Sequence, residues 1–194
     1  MKNPKKKKKA GAGNCYLTLE FDPAVFSREL LAEINLFRSN PKQYAEKLRS
    51  HIAYIKEEKE KLIYQNGDVK TVLNQGAPAF NKAIDILTNT SPLGNLDLND
   101  EKKIEVPEDP ETQTTSFKNL QPALKVKFPG KKFGFTFDLG APIAETIVVL
   151  QLVDDNKSNG NRRNCFLDTA FSQLGVSIKK GKAKHYAIYL TFSD

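Results

Sequence analysis

The chain has 194 residues, which is enough for one domain with a real hydrophobic core and too few for two comfortable ones. Hydrophobic residues make up 39% and charged residues 27%, so the composition is that of a globular protein and excludes a disordered chain. No apolar run approaches the roughly 20 residues that span a bilayer, and a membrane-spanning helix is therefore not expected.

The positive charge is concentrated in a basic tail, residues 1–14, that precedes a domain of residues 15–194. The formal net charge is +7, and the tail supplies most of it through Lys2, Lys5, Lys6, Lys7, Lys8 and Lys9. Such a segment attracts nucleic acid, anionic membranes or an acidic protein surface, and salt weakens the attraction. The charge does not choose among these partners, and a solvated tail that only aids solubility is an open alternative.

The first residues also bear on the compartment. A small, polar stretch at 10–14 follows the lysines, where a secretory signal would need an apolar segment. We therefore expect an intracellular protein that is not secreted. Cys15 and Cys165 are the only cysteines, and a reducing compartment favours two free thiols over a disulfide.

The first part of the chain predicts a strand followed by two helices. Residues 16–21 alternate between apolar and polar side chains, which indicates a short strand. The Asp-Pro pair at 22–23 is typical of a helix start, and the Asn-Pro pair at 40–41 predicts a second one. Apolar positions at 44–55 continue the face of the second helix, and the mixed charges at 56–61 predict its solvent-facing continuation.

The middle of the chain reads as one helix between irregular segments. Residues 65–76 predict a loop, with a turn at the Asn-Gly pair of 66–67. A helix is predicted to open at Pro78 and to end at the Ser-Pro pair of 91–92. Residues 95–115 are acidic, polar and interrupted by prolines, so they predict an irregular excursion over the surface.

The last part predicts a hairpin, a helix and two strands. Residues 124–128 and 133–137 alternate on either side of a Pro-Gly turn, which indicates a hairpin whose aromatic face belongs to the core. A buried helix is predicted at 142–153, and strands at 174–179 and 186–192. This order of elements predicts an α+β fold with a mainly antiparallel sheet and helices packed against it.

Few residues suggest chemistry. His51 and His185 are far apart, and His51 is expected at the surface or at a helix end. The cysteines and histidines do not have zinc-binding spacing. The Asp154-Asp155 pair predicts a helix C-terminal loop more strongly than a weak cation site. We therefore predict no catalytic residue, no metal site and no cofactor, and a protein that is not an enzyme.

Several stretches carry a family resemblance. Residues 33–45 read EINLFRSNPKQYA, residues 91–96 read SPLGNL, and residues 147–155 read IVVLQLVDD, with GNRRN at 160–164 and LGV at 174–176. They resemble the first helix, a proline-leucine segment and the C-terminal half of the SCP-like domain of the CAP superfamily (cysteine-rich secretory proteins, antigen 5 and pathogenesis-related 1). The first pattern is typical of the intracellular branch of that family.

This resemblance implies an α-β-α sandwich whose central third diverges from the family. CAP domains share a cleft with two histidines and two acidic residues, which in some members binds a divalent metal. Asn161 stands where the family has the histidine of its Gly-His-Arg motif, and Phe135 stands where it has the glutamate of its Gly-Glu-Asn segment. Asparagine is a poor ligand for transition metals and phenylalanine is none, so a degenerate member without the cleft chemistry is expected.

The resemblance and the charge together predict a non-catalytic structural or adaptor protein that binds an acidic macromolecular surface. Intracellular members in ciliated cells make an axonemal, microtubule-associated role at the cytoskeleton or cilium the first hypothesis, and tubulin is the suspected partner because its surface is acidic. The alternatives are nucleic-acid or ribonucleoprotein binding through the tail, and a small-ligand or lipid pocket of the CAP type.

Partner-binding residues are predicted in the tail and in the folded domain. In the domain they are Arg162 and Arg163, and an equally open alternative is that these two arginines help cap the preceding helix. In the tail they are Lys5, Lys6, Lys7, Lys8 and Lys9.

Overall fold

The structure is a computed structural model that describes residues 21–67, 69–105, 117–155, 160–181 and 186–194. The tail lysines, the predicted strand before Phe21, Cys15 and His185 lie outside the described residues. The described helices are α1 (Pro23–Ser39), α2 (Pro41–His51), α3 (Ala77–Thr88), α4 (Phe117–Lys127), α5 (Ala144–Val153) and α6 (Asn161–Leu167). The described strands are β1 (Ile55–Glu58), β2 (Lys61–Asn66), β3 (Val69–Leu73), β4 (Asp97–Leu98), β5 (Phe133–Gly140), β6 (Gln173–Lys180) and β7 (Tyr186–Ser193).

The strands form two sheets. The larger sheet has the order β4-β6-β7-β5, in which only the short β4–β6 pair is parallel. The smaller sheet is the antiparallel meander β1-β2-β3. The prediction of an α+β fold with a mainly antiparallel sheet is therefore confirmed.

Helices cover both faces of the larger sheet. Successive side chains of β7 point to opposite faces and pack against the helices on each side. Ile188, Leu190 and Phe192 point into the main core, to which α1, α2, α3, α5 and α6 contribute. Ala187 and Tyr189 point to the opposite face, where the α4 side packs in a second, smaller cluster. Because both faces of a central strand must be covered, β7 is buried along nearly its whole length.

Most predicted helix starts and strands are confirmed. The carboxylate of Asp22 accepts hydrogen bonds from the amides of Ala24 and Val25 and so caps α1. The second helix begins at Pro41, and α3, α5, β6 and β7 lie where the sequence predicted them. The excursion after α3 is mainly irregular where it is described, but Asp97–Leu98 forms a short strand.

The prediction for the segment after α2 was wrong. Residues 56–61 do not continue the helix, and 65–76 is not a loop: the chain forms the three-stranded meander instead. Lys59 and Glu60 both adopt positive φ, which makes a tight turn between β1 and β2. The turn at Asn66 and Gly67 is confirmed and joins β2 to β3. Tyr64 on β2 is fully buried in the meander. The burial of this large side chain favours the meander over the predicted continuation of the charged helix.

The predicted hairpin was half wrong. Phe135 lies on a strand and its ring packs in the core as expected, but residues 124–128 belong to the end of α4 and the turn after it. Leu124 and Phe128 are four residues apart, so a helix places both on one buried face, just as a strand would. The exposed Val126 fits the helix, because it lies on the opposite face.

No helix in the described ranges is long and apolar enough to cross a lipid bilayer. This agrees with the expectation from composition.

Candidate functional site

A groove lies along one edge of the larger sheet, between the first turns of α1 and the chain that follows β4. Its volume is about 650 Å³, and Val176, Ser177 and Ile178 of β6 form its floor. Three basic side chains, Arg28 of α1, Lys103 and Lys179, also line it. We call this feature the edge groove.

The edge groove exists because β4 is short. It pairs only with Gln173 and Leu174, although β6 runs on to Lys180. After β4 the chain turns through one 3-10 turn, Asp100–Lys102, and the Ile104 amide donates to the Ser177 hydroxyl rather than to the β6 backbone (2.8 Å). Within the described ranges, no strand pairs with β6 beyond Leu174 on this side.

The charge of the edge groove is mainly positive. Asp100 is the acidic residue among the described residues that line it, and it forms an exposed ion pair of 2.8 Å with Lys103. Exposed pairs of this kind contribute little to stability, so a stronger anion can displace Asp100 at small cost. Among the described residues, the groove therefore combines a strand edge that no other strand pairs with and three basic side chains, which suits an anionic, extended ligand.

The structure separates the two predicted arginines. Arg163 is buried, and its guanidinium donates to the carbonyls of Leu152 and Val153 at 2.9 and 3.0 Å. Arg163 therefore caps the C-terminus of α5, where the carbonyls lack helical donors, and this matches the alternative expectation that it helps cap the preceding helix. Asp154 assists by accepting hydrogen bonds from the amides of Arg162 and Arg163.

Arg162 is half-buried and lies beside a second cavity, of about 510 Å³, between β3, the end of β5 and α5. Asp138 also lines this cavity, and burial raises the pKa of its carboxyl while Arg162 opposes the shift. At the cavity wall, the buried Thr146 hydroxyl makes no hydrogen bond of good geometry, although the Tyr64 hydroxyl is near.

A chain of polar side chains joins α1, α2, α5 and β2. It runs from Tyr44 to Glu33 (2.6 Å), then to Lys47 (2.6 Å), Glu145 (2.8 Å) and His51 (2.9 Å). The other nitrogen of His51 meets the Tyr64 hydroxyl at 2.6 Å, which ends the chain inside the meander.

The expectation for His51 was half right: it is the last residue of α2, but its side chain is only 3% exposed and so does not lie at the surface. It sits on the last turn of α2, and the unpredicted meander covers it. Burial lowers the pKa of His51, and the Glu145 carboxylate only partly offsets this. In the neutral ring, Nε2–H donates to Glu145 and Nδ1 accepts from Tyr64, so both nitrogens are occupied. His51 therefore joins the meander to the helices.

We expect folding stability to fall on mild acidification because of His51. Its pKa is below the ordinary 6.5 in the fold, so the unfolded chain binds the proton more readily and stability falls as pH drops through 6.5. Each pH unit between the two pKa values costs at most about 1.4 kcal/mol. Urea unfolding between pH 7.5 and 5.5 measures this, above the range in which Glu145 titrates.

The matched variant is His51→Gln, which keeps hydrogen-bonding atoms but does not titrate. Its stability should be nearly flat over the same pH window, whatever its absolute value. Equal slopes for the variant and the wild type would show that another group carries the dependence. The rings of Tyr54 and Tyr64 pack against the His51 imidazole. The charged groups that influence the pKa of His51 are Glu145, Lys47 and Glu33.

Sequence reasoning did not find the edge groove. Arg28, Lys103 and Lys179 are far apart in the chain and occur in no recognisable motif. The short strand β4 that leaves the groove open was not predicted either, because residues 95–115 were expected to be irregular. The predicted tail lysines lie outside the described residues, so their position relative to the groove is a matter for experiment.

Among the described residues, no three or more His, Cys, Asp and Glu side chains are grouped so as to hold a metal ion. Comparison of the chain with models of protein families, with curated proteins and with solved structures gave no match.

Proposed function

We propose that this chain is a non-catalytic structural or adaptor protein that binds an acidic macromolecular surface, with axonemal microtubules as the first partner to test. The proposal places the protein inside the cell, at the cytoskeleton or cilium. The resemblance to intracellular CAP domains motivates the choice of partner.

The observation that carries the proposal is the distribution of positive charge. The tail concentrates six lysines in its first nine residues, and the edge groove adds Arg28, Lys103 and Lys179 on the folded domain. Two basic elements on one chain strengthen binding to an extended acidic surface, since the second contact forms at a high effective concentration.

The polar residues of the domain support a non-catalytic role. Both ring nitrogens of His51 form hydrogen bonds, one with Tyr64 and one with Glu145. The guanidinium of Arg163 forms hydrogen bonds that cap α5. The thiol of Cys165 is half-buried, and burial raises its pKa, which makes it a poor nucleophile. These groups stabilise the fold rather than presenting a reactive site.

Co-sedimentation of the full chain with polymerised tubulin at low salt tests the proposal. We expect binding that weakens as salt rises, because exposed charges are screened. Changing the five consecutive tail lysines at 5–9 to glutamine should weaken binding by roughly tenfold. The control changes the same number of exposed lysines elsewhere and should have a much smaller effect: Lys42, Lys56, Lys59, Lys61 and Lys82.

Two outcomes would contradict the proposal. Failure to sediment with tubulin, together with failure to bind polyglutamate, would remove the acidic-surface function altogether. Preferential recovery of RNA over tubulin from a mixture of the two would replace it with the nucleic-acid alternative, for which a steep salt dependence and little sequence preference are expected.

A further inference from the structure

We propose that the edge groove binds an extended acidic peptide of a partner protein, which adds a strand to the open edge of β6. This inference rests on the proposed function and specifies how the folded domain would recognise an acidic partner. It assigns the recognition to the domain, whereas the tail supplies general attraction.

The backbone of β6 offers the hydrogen-bonding groups that such a peptide requires. The carbonyl of Leu174 accepts from the Asn99 amide at 2.9 Å, so the backbone of Leu174 faces the β4 side. Backbone direction alternates along a strand, and the amides and carbonyls of Val176, Ile178 and Lys180 therefore face the same side. Beyond the end of β4 these groups face the edge groove.

The open edge has a length suited to a short strand. From Val176 to Lys180 it spans about 17 Å, which is close to the length of a typical strand of five residues. The peptide would continue the line of β4, which already pairs with the start of β6. Open edges of this kind are used by many domains to bind peptides through main-chain hydrogen bonds.

The side chains around the edge select an acidic sequence. Arg28 stands on the α1 side of the groove, and Lys103 stands on the side of the chain that follows β4. Lys179 belongs to β6 itself, so acidic side chains of a bound strand meet positive charge on both sides. Leu98 and Ile104 also line the groove, and they offer apolar contacts for alternate side chains of the peptide.

The same features argue against a nucleic acid as the occupant. Single-stranded nucleic acids bind on aromatic side chains that stack with bases, and the described residues that line this groove include no aromatic ring. A nucleic acid also cannot pair with the alternating amides and carbonyls of a strand edge, whereas a peptide uses both.

The first experiment measures binding of a synthetic peptide with alternating glutamate and valine to the full chain. The groove variant carries Arg28→Gln, Lys103→Gln and Lys179→Gln. The control variant carries Lys42→Gln, Lys61→Gln and Lys82→Gln, which remove the same charge from positions outside the groove. We expect the groove variant to bind at least tenfold more weakly and the control variant to change less than threefold. Equal losses in both would overturn the proposal.

The second experiment tests the backbone directly. Ile178→Pro removes an amide that faces the groove, not one that pairs with β7, so the sheet can keep its ladder. Ile178→Ala removes a similar amount of side chain and keeps the amide. Binding that falls at least tenfold in the proline variant and less than threefold in the alanine variant supports strand addition, provided that circular dichroism shows both folded. Equal binding by the two variants would overturn it.

An N-methylated peptide of the same sequence serves as an independent check that needs no variant. It keeps its charge but cannot donate along the edge, so it should bind at least tenfold more weakly. If it binds as well as the unmodified peptide, the contact is electrostatic only and the proposal fails.

Hydrogen exchange of the free protein tests whether another part of the chain already covers the edge. The amides of Val176 and Ile178 should exchange quickly in the free protein and slow on addition of the peptide. Amides already protected, and unchanged by the peptide, would show that the chain itself occupies the groove and would overturn the proposal.

The proposed function has a separate readout: if groove variants bind tubulin and polyglutamate normally, only the strand-addition inference fails.

Discussion

Replacing Arg38 by methionine is expected to lower the free energy of unfolding by about 3–5 kcal/mol, a loss typical of breaking a buried charged network. Arg38 lies on α1, and its side chain is among the largest that are fully buried. The substitution leaves the side chain apolar and of similar length, so the loss reflects hydrogen bonding rather than volume. Urea denaturation monitored by circular dichroism measures it.

The reason lies in the carbonyl groups that Arg38 joins. Its guanidinium donates to the carbonyls of Gly94 (2.6 Å), Phe166 (2.8 Å) and Phe171 (3.1 Å), with a longer contact to Asp168 (3.3 Å). Burial lowers the pKa of Arg38, but a guanidinium remains charged at any ordinary pH. Without it, several buried carbonyls lose their donors, and each unsatisfied group costs about 1–3 kcal/mol before relaxation.

Arg49→Met is the matched control for Arg38→Met. Arg49 is exposed on α2 and pairs with Glu46 on the same helix, so its loss should change the free energy of unfolding far less than the loss of Arg38. Arg38→Lys should recover only part of the stability, because one ammonium cannot reach carbonyls arranged around a planar fork. A small, equal loss for Arg38→Met and Arg49→Met would show that the buried network contributes little.

Part of this fold depends on contacts between α1, which carries Arg38, and the segment that follows α3. Asn35 exchanges two hydrogen bonds with the backbone of Leu96, and the Leu93 amide donates to the Arg38 carbonyl. The segments at 33–45 and 91–96 therefore meet in space. Local signals were also sufficient at Asp22, where a carboxylate caps α1, because capping depends only on residues a few positions apart.

The failed predictions share a physical cause, which is that a local pattern fits two structures and distant contacts decide between them. Leu124 and Phe128 fit one face of a helix or of a strand, and only packing against β5 and β7 settles the choice. The charged residues at 56–61 fit a helix surface, but the burial of Tyr64 next to His51 favours the meander.

The candidate site was beyond sequence reasoning for a similar reason. Arg28, Lys103 and Lys179 come together through the packing of α1 on the sheet and the early end of β4. Arg162 and Arg163 are adjacent in sequence but face different surroundings, since only Arg163 turns back onto the end of α5. Adjacency in a basic motif therefore did not indicate a shared role.

Gly175→Ala is expected to lower the free energy of unfolding by about 3 kcal/mol, as overpacking of a tight site does. Gly175 lies on β6, and a methyl group there would stand within 3.0 Å of the Lys102 backbone and of the Thr191 hydroxyl. Thr191 holds that crossing in place by donating to the Lys102 carbonyl at 2.5 Å. Neither group can withdraw without breaking this hydrogen bond.

Gly94→Ala is the control, because a methyl group at Gly94 would meet no atom within 4 Å and the residue has no positive φ. Its stability should change by less than about 0.5 kcal/mol. Thermal and urea unfolding of both variants measure the difference, and near-equal stabilities would show that Lys102 moves aside at low cost.

Gly175 matters beyond stability because the crossing of Lys102 sets where the open edge of β6 begins. The chain passes over β6 at Gly175 and is held there again at Ser177, whose hydroxyl accepts from the Ile104 amide. Because β4 pairs only with Gln173 and Leu174, Val176 is the first residue whose outward backbone β4 does not reach. If the alanine variant folds but displaces the crossing, the walls of the edge groove move apart and peptide affinity should fall together with stability. A variant that loses about 3 kcal/mol of stability and yet binds the glutamate-valine peptide with unchanged affinity would show that recognition does not depend on this wall, and that β6 and its flanking cations are sufficient.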